Sequence, residues 1–160
     1  MSLPPTPSVS VPKACLERLD LSPLQPWAAL PVAELLRHGG QLELELDWPR
    51  GEDDPRELSE VPEVRLWCLR ADALHPWLPL LLERSRGQLT RHVAMLLPHG
   101  FSRSEGIRFA EGSLDLWITQ RLFLLDAWSR AEGVDCRGSL GQMAAVLGYE
   151  LDPQFWALLP

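Results

Sequence analysis

The densest group of potentially reactive side chains lies between residues 50 and 60, where Glu52, Asp53, Asp54, Glu57 and Glu60 are interleaved with Arg50 and Arg56. Clustered carboxylates suit hard cations such as Ca²⁺ or Mg²⁺, which take several oxygen ligands at once. The spacing lacks the alternating donors around a central glycine of an EF-hand loop. The interleaved arginines read more simply as a solvated charged loop. Four histidines, His38, His75, His92 and His99, include no H-x-x-x-H pair and stand at no zinc-protease spacing from an acid. His75 and His99 border prolines at the ends of expected helices, where imidazole most often caps a carbonyl. Cys15, Cys68 and Cys136 are odd in number and widely spaced, which suggests neither a disulfide framework nor a thiolate metal site. Cys68 is expected to be a buried, inert small hydrophobe. No G-x-S-x-G elbow and no glycine-rich nucleotide loop is present. The catalytic alternative these residues leave is a small metal-dependent hydrolase using the acidic 52–60 loop with His75 or His99. No cofactor is expected.

The formal charge of −7 and pI near 5.1 leave no excess of cations to neutralise phosphates, so nucleic-acid binding is disfavoured. Lys13 is the only lysine, so nearly all the positive charge is guanidinium, which favours fixed, forked pairing with carboxylates. The longest apolar runs, such as residues 78–82 and 122–125, are far shorter than the roughly 20 residues that span a bilayer. The first dozen residues lack the charge and apolar run of a signal peptide, and the cysteines fit a reducing compartment; a cytoplasmic location is expected. Seven tryptophans are many, and tryptophan is enriched at binding hot spots. Trp48, Trp67, Trp117 and Trp128 are assigned to the core, with Trp77 and Trp156 the better candidates for partial exposure.

These groups must be positioned by local elements. With 46% hydrophobic residues, 160 residues suffice for a single folded core. Residues 1–12 are proline-rich and read as a flexible tail, leaving 13–160 as one domain. Short helices are expected near residues 12–20 and 30–38, the second stopped by Gly39-Gly40. Residues 41–48 alternate Leu42, Leu44, Leu46 and Trp48 with acids, the pattern of a half-buried strand. Residues 63–70 show a similar alternation and are read as a second strand, pairing antiparallel with the first across the charged loop. A third short strand is expected at 107–109. Helices are expected at 77–84, 88–97 and 140–147, with a last turn at 153–158. The longest, from an N-cap at Ser113 to about residue 131, is apolar nearly all round and expected to be central. The fold class is therefore α+β, with a small antiparallel sheet of two to three strands packed against several helices.

Three stretches carry a resemblance. They are the run DPRELSEVPEVRLW at 54–67 leading into PWLP at 76–79, then AMLLPH at 94–99, then LGYELD at 147–152. Together they resemble the chlororespiratory reduction six family of cyanobacteria and plant chloroplasts, over about residues 41–156. The resemblance implies a non-enzymatic assembly factor for the photosynthetic NAD(P)H dehydrogenase-like complex. The implied partner is NdhI, a ferredoxin-like iron–sulfur subunit of the hydrophilic arm, and the implied location a cyanobacterial cytoplasm, or the chloroplast stroma for a plastid form. A structural subunit that stays in the finished complex is a further alternative. On that reading Asp54, Arg56, Glu57, Glu60, Glu63 and Trp77 are the candidate partner-binding residues. The competing reading of Arg56 and Glu60 is that they tie the loop to its own domain.

Overall fold

The computed structural model describes residues 7–158. Strand β1 (Ser8–Val11) pairs in parallel with β2 (Glu43–Leu46), placing Val9 beside Leu44 and Val11 beside Leu46. Strands β3 (His99–Ser102) and β4 (Gly106–Phe109) form a separate antiparallel hairpin. The helices are α1 (Lys13–Arg18), α2 (Gln25–Ala28), α3 (Val32–Leu36), α4 (Pro62–Leu74), α5 (Leu78–Leu81), α6 (Gln88–Leu96), α7 (Ser113–Ala131), α8 (Arg137–Val146) and α9 (Pro153–Ala157), with short 3-10 turns at Ser22–Leu24 and Leu58–Glu60. The class is α+β, as expected. Helices supply most of it, and the strands form two small separate pairs.

The expected strand at 63–70 is instead the middle of α4. Pro62 occupies the first turn, where its missing N–H is no loss. From there Val64, Trp67, Cys68 and Ala71 recur at helical spacing and are all buried, whereas Leu66, which the alternation would bury, is 53% exposed. The antiparallel pairing of 41–48 with 63–70 is thereby replaced. The partner of β2 is β1, whose Val9 and Val11 are buried, within the stretch read as a tail. The first six residues of that tail lie outside the described residues. A parallel bridge from Leu42 to Leu82 joins this strand pair to the end of α5.

Two expectations about α7 also change. Its N-cap is Gly112, and Ser113 instead donates its hydroxyl to the Ala110 carbonyl at 2.7 Å. The helix is not the centre of the core, because Leu116, Phe123 and Leu124 are exposed and one face alone is buried. The fully buried large side chains come chiefly from other elements, among them Leu16, Leu42, Trp67, Leu80, Leu89 and Met95.

A buried polar cluster joins α4, α6 and α7. Arg121 donates from Nη1 and Nη2 to the two carboxylate oxygens of Asp72, at 3.0 and 2.6 Å, and from Nη1 to the Pro76 carbonyl at 2.8 Å. His92 Nε2 donates to the same carboxylate at 3.2 Å, and Trp117 lies against the guanidinium. Burial pushes the Asp72 carboxyl up, but its bonds to His92 and Arg121 outweigh this and hold it below the usual carboxylate range. A second ionic tie runs from Arg137 to Asp126 at 2.9 and 3.2 Å, and Arg137 also lies over Trp156, linking α7, α8 and α9. Close to the start of β2, Gly40 has φ +75 and a Cβ there would meet Arg84 at 2.8 Å; that guanidinium reaches on to Ser139 and Gln142.

Candidate functional site

The charged loop before α4 is built from hydrogen bonds made by its own side chains. Asp54 accepts the Arg56 backbone N–H at 3.0 Å and a forked guanidinium contact from Nε and Nη2 at 3.1 to 3.2 and 2.9 Å. Arg50 donates to the Arg56 carbonyl. Glu57 caps the 3-10 turn Leu58–Glu60 by accepting the Ser59 N–H at 2.6 Å, while Glu60 reaches back to the Glu57 N–H at 3.1 Å. This reciprocal pair is a capping box. Two prolines, Pro55 and Pro62, fix φ on either side and reduce the freedom the loop would otherwise lose on ordering.

The loop is then fastened to α6 and the hairpin. Arg91 of α6 donates to Glu57 at 2.6 Å. Burial pushes the Glu57 carboxyl up, but the Ser59 N–H and Arg91 outweigh it and leave it below its ordinary value. Ser59 meets His99 Nε2 at 2.9 Å, and His99 Nδ1 meets the Leu97 carbonyl at 3.0 Å. A carbonyl only accepts, so Nδ1 carries the proton and Nε2 accepts the Ser59 hydroxyl. Arg65 of α4 donates to the Met95 and Leu97 carbonyls at 3.0 and 3.1 Å, satisfying acceptors that the end of α6 leaves open. The stretches 54–67 and 94–99 are therefore adjacent in space and hold each other in place.

This geometry sorts the candidate residues. Asp54, Arg56, Glu57 and Glu60 come together in one loop, with Glu63 exposed in the first turn of α4. All four loop residues have internal partners: Arg56 forks onto Asp54, Glu60 closes the capping box with Glu57, and Glu57 also takes Arg91. Arg56 and Glu60 are exposed and, with Pro55 and the hairpin residues Phe101, Ser102 and Arg103, line an open groove of about 300 Å³. Trp77 is not part of this surface: it is 6% exposed, beside His75 at the start of α5. The last stretch, 147–152, makes its contacts elsewhere. Tyr149 donates to Asp115 of α7, and Asp152 caps α9 by accepting the Gln154 N–H at 2.8 Å.

Sequence reasoning missed Ser59, Arg65, Arg91, Phe101 and Arg103, and the buried trio of Asp72, His92 and Arg121. The available signal for Arg121 was its place four residues after Trp117 and four before Leu125, a charge on an apolar stripe. The Ser59 to His99 contact resembles half of a nucleophile–base pair. Ser59 is fully buried and His99 is oriented by a backbone carbonyl, so the pair acts as a fastening. Cys68 is also fully buried, and that burial drives its thiol well above the ordinary range. Among the described residues, no group of three or more His, Cys, Asp or Glu is placed to hold a metal ion. No helix of the described residues is long and apolar enough to cross a membrane.

The Arg56 fork has a measurable signature. Side-chain and backbone hydrogen bonds from Arg56 hold the Asp54 carboxyl at about 2, against an ordinary 3.8. A depressed carboxyl supports the loop at pH above its unfolded value, and that support fades as pH falls through about 2. Arg56→Ala is expected to return the Asp54 midpoint towards 3.8 in a carboxyl-carbon NMR titration. An unmoved midpoint would show that the fork does not form in solution.

A family model described as Chlororespiratory reduction 6 matches residues 11–158. No solved structure matches the chain.

Proposed function

The chain belongs to the chlororespiratory reduction 6 family, and from that membership we propose that it is a non-enzymatic assembly factor of the photosynthetic NAD(P)H dehydrogenase-like complex that holds the NdhI-type ferredoxin-like subunit during biogenesis. The observation that carries this reading is the family match over residues 11–158, which includes all three stretches that carry the resemblance. The rigid loop supports it physically. A capping box, two prolines and the Arg91 and Arg65 ties fix the loop before any partner arrives, so little ordering cost is left to binding.

The contact face on this proposal is the groove between loop and hairpin. Arg56 and Glu60 offer one charge of each sign at its rim, and Phe101 and Pro55 supply apolar area between them. Glu63 extends the charged border, whereas Asp54 and Glu57 act by holding the loop in shape. The engaged carboxylates of Asp54 and Glu57 leave the acidic loop poorly suited to the hydrolase alternative. The site of action is proposed to be the compartment where the hydrophilic arm is built, a cyanobacterial cytoplasm or a plastid stroma.

The test is capture of purified NdhI by the tagged chain, followed by biolayer interferometry with variants. Arg103→Glu, which leaves the fork and the capping box intact, is expected to weaken capture at least tenfold with the melting temperature unchanged, whereas Arg56→Ala with Glu60→Lys also opens both and is expected to lose capture together with stability. Full retention of binding by folded Arg103→Glu would move the contact off the groove. Failure of the unaltered chain to bind NdhI in either its cluster-free or cluster-loaded form would overturn the partner assignment.

A further inference from the structure

The exposed side of α4 carries an apolar row with no partner among the described residues. Pro62, Leu66, Leu69 and Ala73 are all exposed, Leu66 by 53% and Leu69 by 38%, and they follow one another at spacings of four, three and four. That is the spacing of a coiled-coil seam, in which alternate steps of three and four keep apolar side chains along one line of a helix. The opposite side of α4 is already occupied, since Val64, Trp67, Cys68 and Ala71 lie in the core. The row spans about 16 Å at the usual rise of a helix.

Two charges flank the row on the same side. Glu63 and Arg70 are seven residues apart and both exposed; neither side chain makes a hydrogen bond or salt bridge with a described residue, and Glu63 acts on Arg56 only through the field of its charge. Residues seven apart occupy equivalent positions of a heptad. Opposite charges at equivalent positions are self-complementary only when two helices run antiparallel. In that arrangement Glu63 of each copy faces Arg70 of the other, Leu66 meets Leu69, and Pro62 meets Ala73. In a parallel pairing these equivalent positions lie on opposite sides of the seam, and Glu63 and Arg70 do not meet.

We propose that the outer face of α4 is a contact between two copies of this chain, packed antiparallel about a two-fold axis. The contact is isologous, so one patch supplies both sides. It is small, and each copy carries a formal charge of −7, so the dimer is weak and reversible, with a Kd on the order of tens of micromolar. Antiparallel packing sets the two 54–60 loops at opposite ends of the seam, and Glu63, which borders the proposed partner face, is shared between the two contacts. The inference stands on α4 alone and does not depend on which subunit the chain binds.

Sedimentation equilibrium of the full chain from about 5 µM to 1 mM tests it. The unaltered protein is expected to pass from monomer towards dimer across that range. Leu66→Glu with Leu69→Glu is expected to raise the Kd at least tenfold, with thermal unfolding measured alongside because both side chains are already exposed. Arg70→Glu alone sets two pairs of like charge together and is expected to weaken the dimer similarly. The exchange Glu63→Arg with Arg70→Glu keeps the complementarity and is expected to restore it. Monomer at every concentration overturns the proposal, and so does a dimer unaffected by the leucine or Arg70 substitutions.

Discussion

Arg121→Ala is expected to destabilise the protein by about 3–5 kcal/mol, because it leaves the Asp72 carboxylate buried with only His92 to answer it. For a chain of this size that corresponds to a fall in melting temperature of roughly 6–20 °C by calorimetry. The cost of breaking the pair is not the same as the benefit of having it. His92 Nδ1, Trp117 Nε1 and Arg121 Nε find no hydrogen-bond partner in the structure among the described residues, so the cluster is expensive to bury as well as to disrupt. Replacing all three together, Asp72→Leu with His92→Leu and Arg121→Met, leaves no buried polar partner orphaned among these side chains and is accordingly expected to recover most of the loss. A triple variant as unstable as the single one would show that the ionic cluster stabilises the fold in its own right.

The same cluster sets an acid limit. The folded Asp72 carboxyl lies below its unfolded value, so its contribution is complete above about pH 4 and declines as pH falls through the lower folded value. In Arg121→Ala that decline should begin at higher pH, because the carboxylate has lost one of the groups that favour its charged form. Urea midpoints measured between pH 2 and 7 on both proteins would reveal the displacement.

Trp67→Ala is the second large effect, about 3–5 kcal/mol. Trp67 is fully buried on α4, and its indole N–H donates to the Asp20 carbonyl at 2.7 Å, tying α4 to the end of α1. Truncation removes the ring from the core and leaves that carbonyl without its donor. Trp67→Phe keeps most of the volume and is expected to cost less than half as much. Denaturant unfolding of the three proteins compares the two contributions directly. Equal losses in both variants would mean that the hydrogen bond, rather than the packed ring, dominates.

Local periodicity was a good guide where an element was long enough to show it. The alternation through Leu42, Leu44 and Leu46 gave β2, and the spacing of Leu89 and Val93 gave α6. Over residues 63–70 the same reasoning failed, because Val64, Leu66 and Cys68 alternate while Val64, Trp67, Cys68 and Ala71 also fit a helix. Eight residues satisfy both templates; the proline at the start and the continuation to Leu74 separate them. β1 was hidden by its neighbours, since four residues among prolines carry little signal. The acidic loop was found as a cluster, but its internal ties were not visible. Glu57 to Arg91 and Ser59 to His99 join residues 34 and 40 apart, and Asp72 to Arg121 spans 49. Contacts of that range depend on how helices pack, which no local pattern encodes.

The parallel pairing of β1 with β2 bears on how the chain reaches its fold. Residues Ser8–Val11 leave the ribosome before their hydrogen-bonding partner, which follows 35 residues later, and Leu42, next to that partner, is bridged in turn to Leu82, 40 residues on. Closing such separations costs entropy that grows with the logarithm of loop length and is repaid only when the distant segment arrives. A strand made before its partner is thus secured only after that partner has arrived. During translation it remains open to proteases and chaperones until the middle of the chain has emerged.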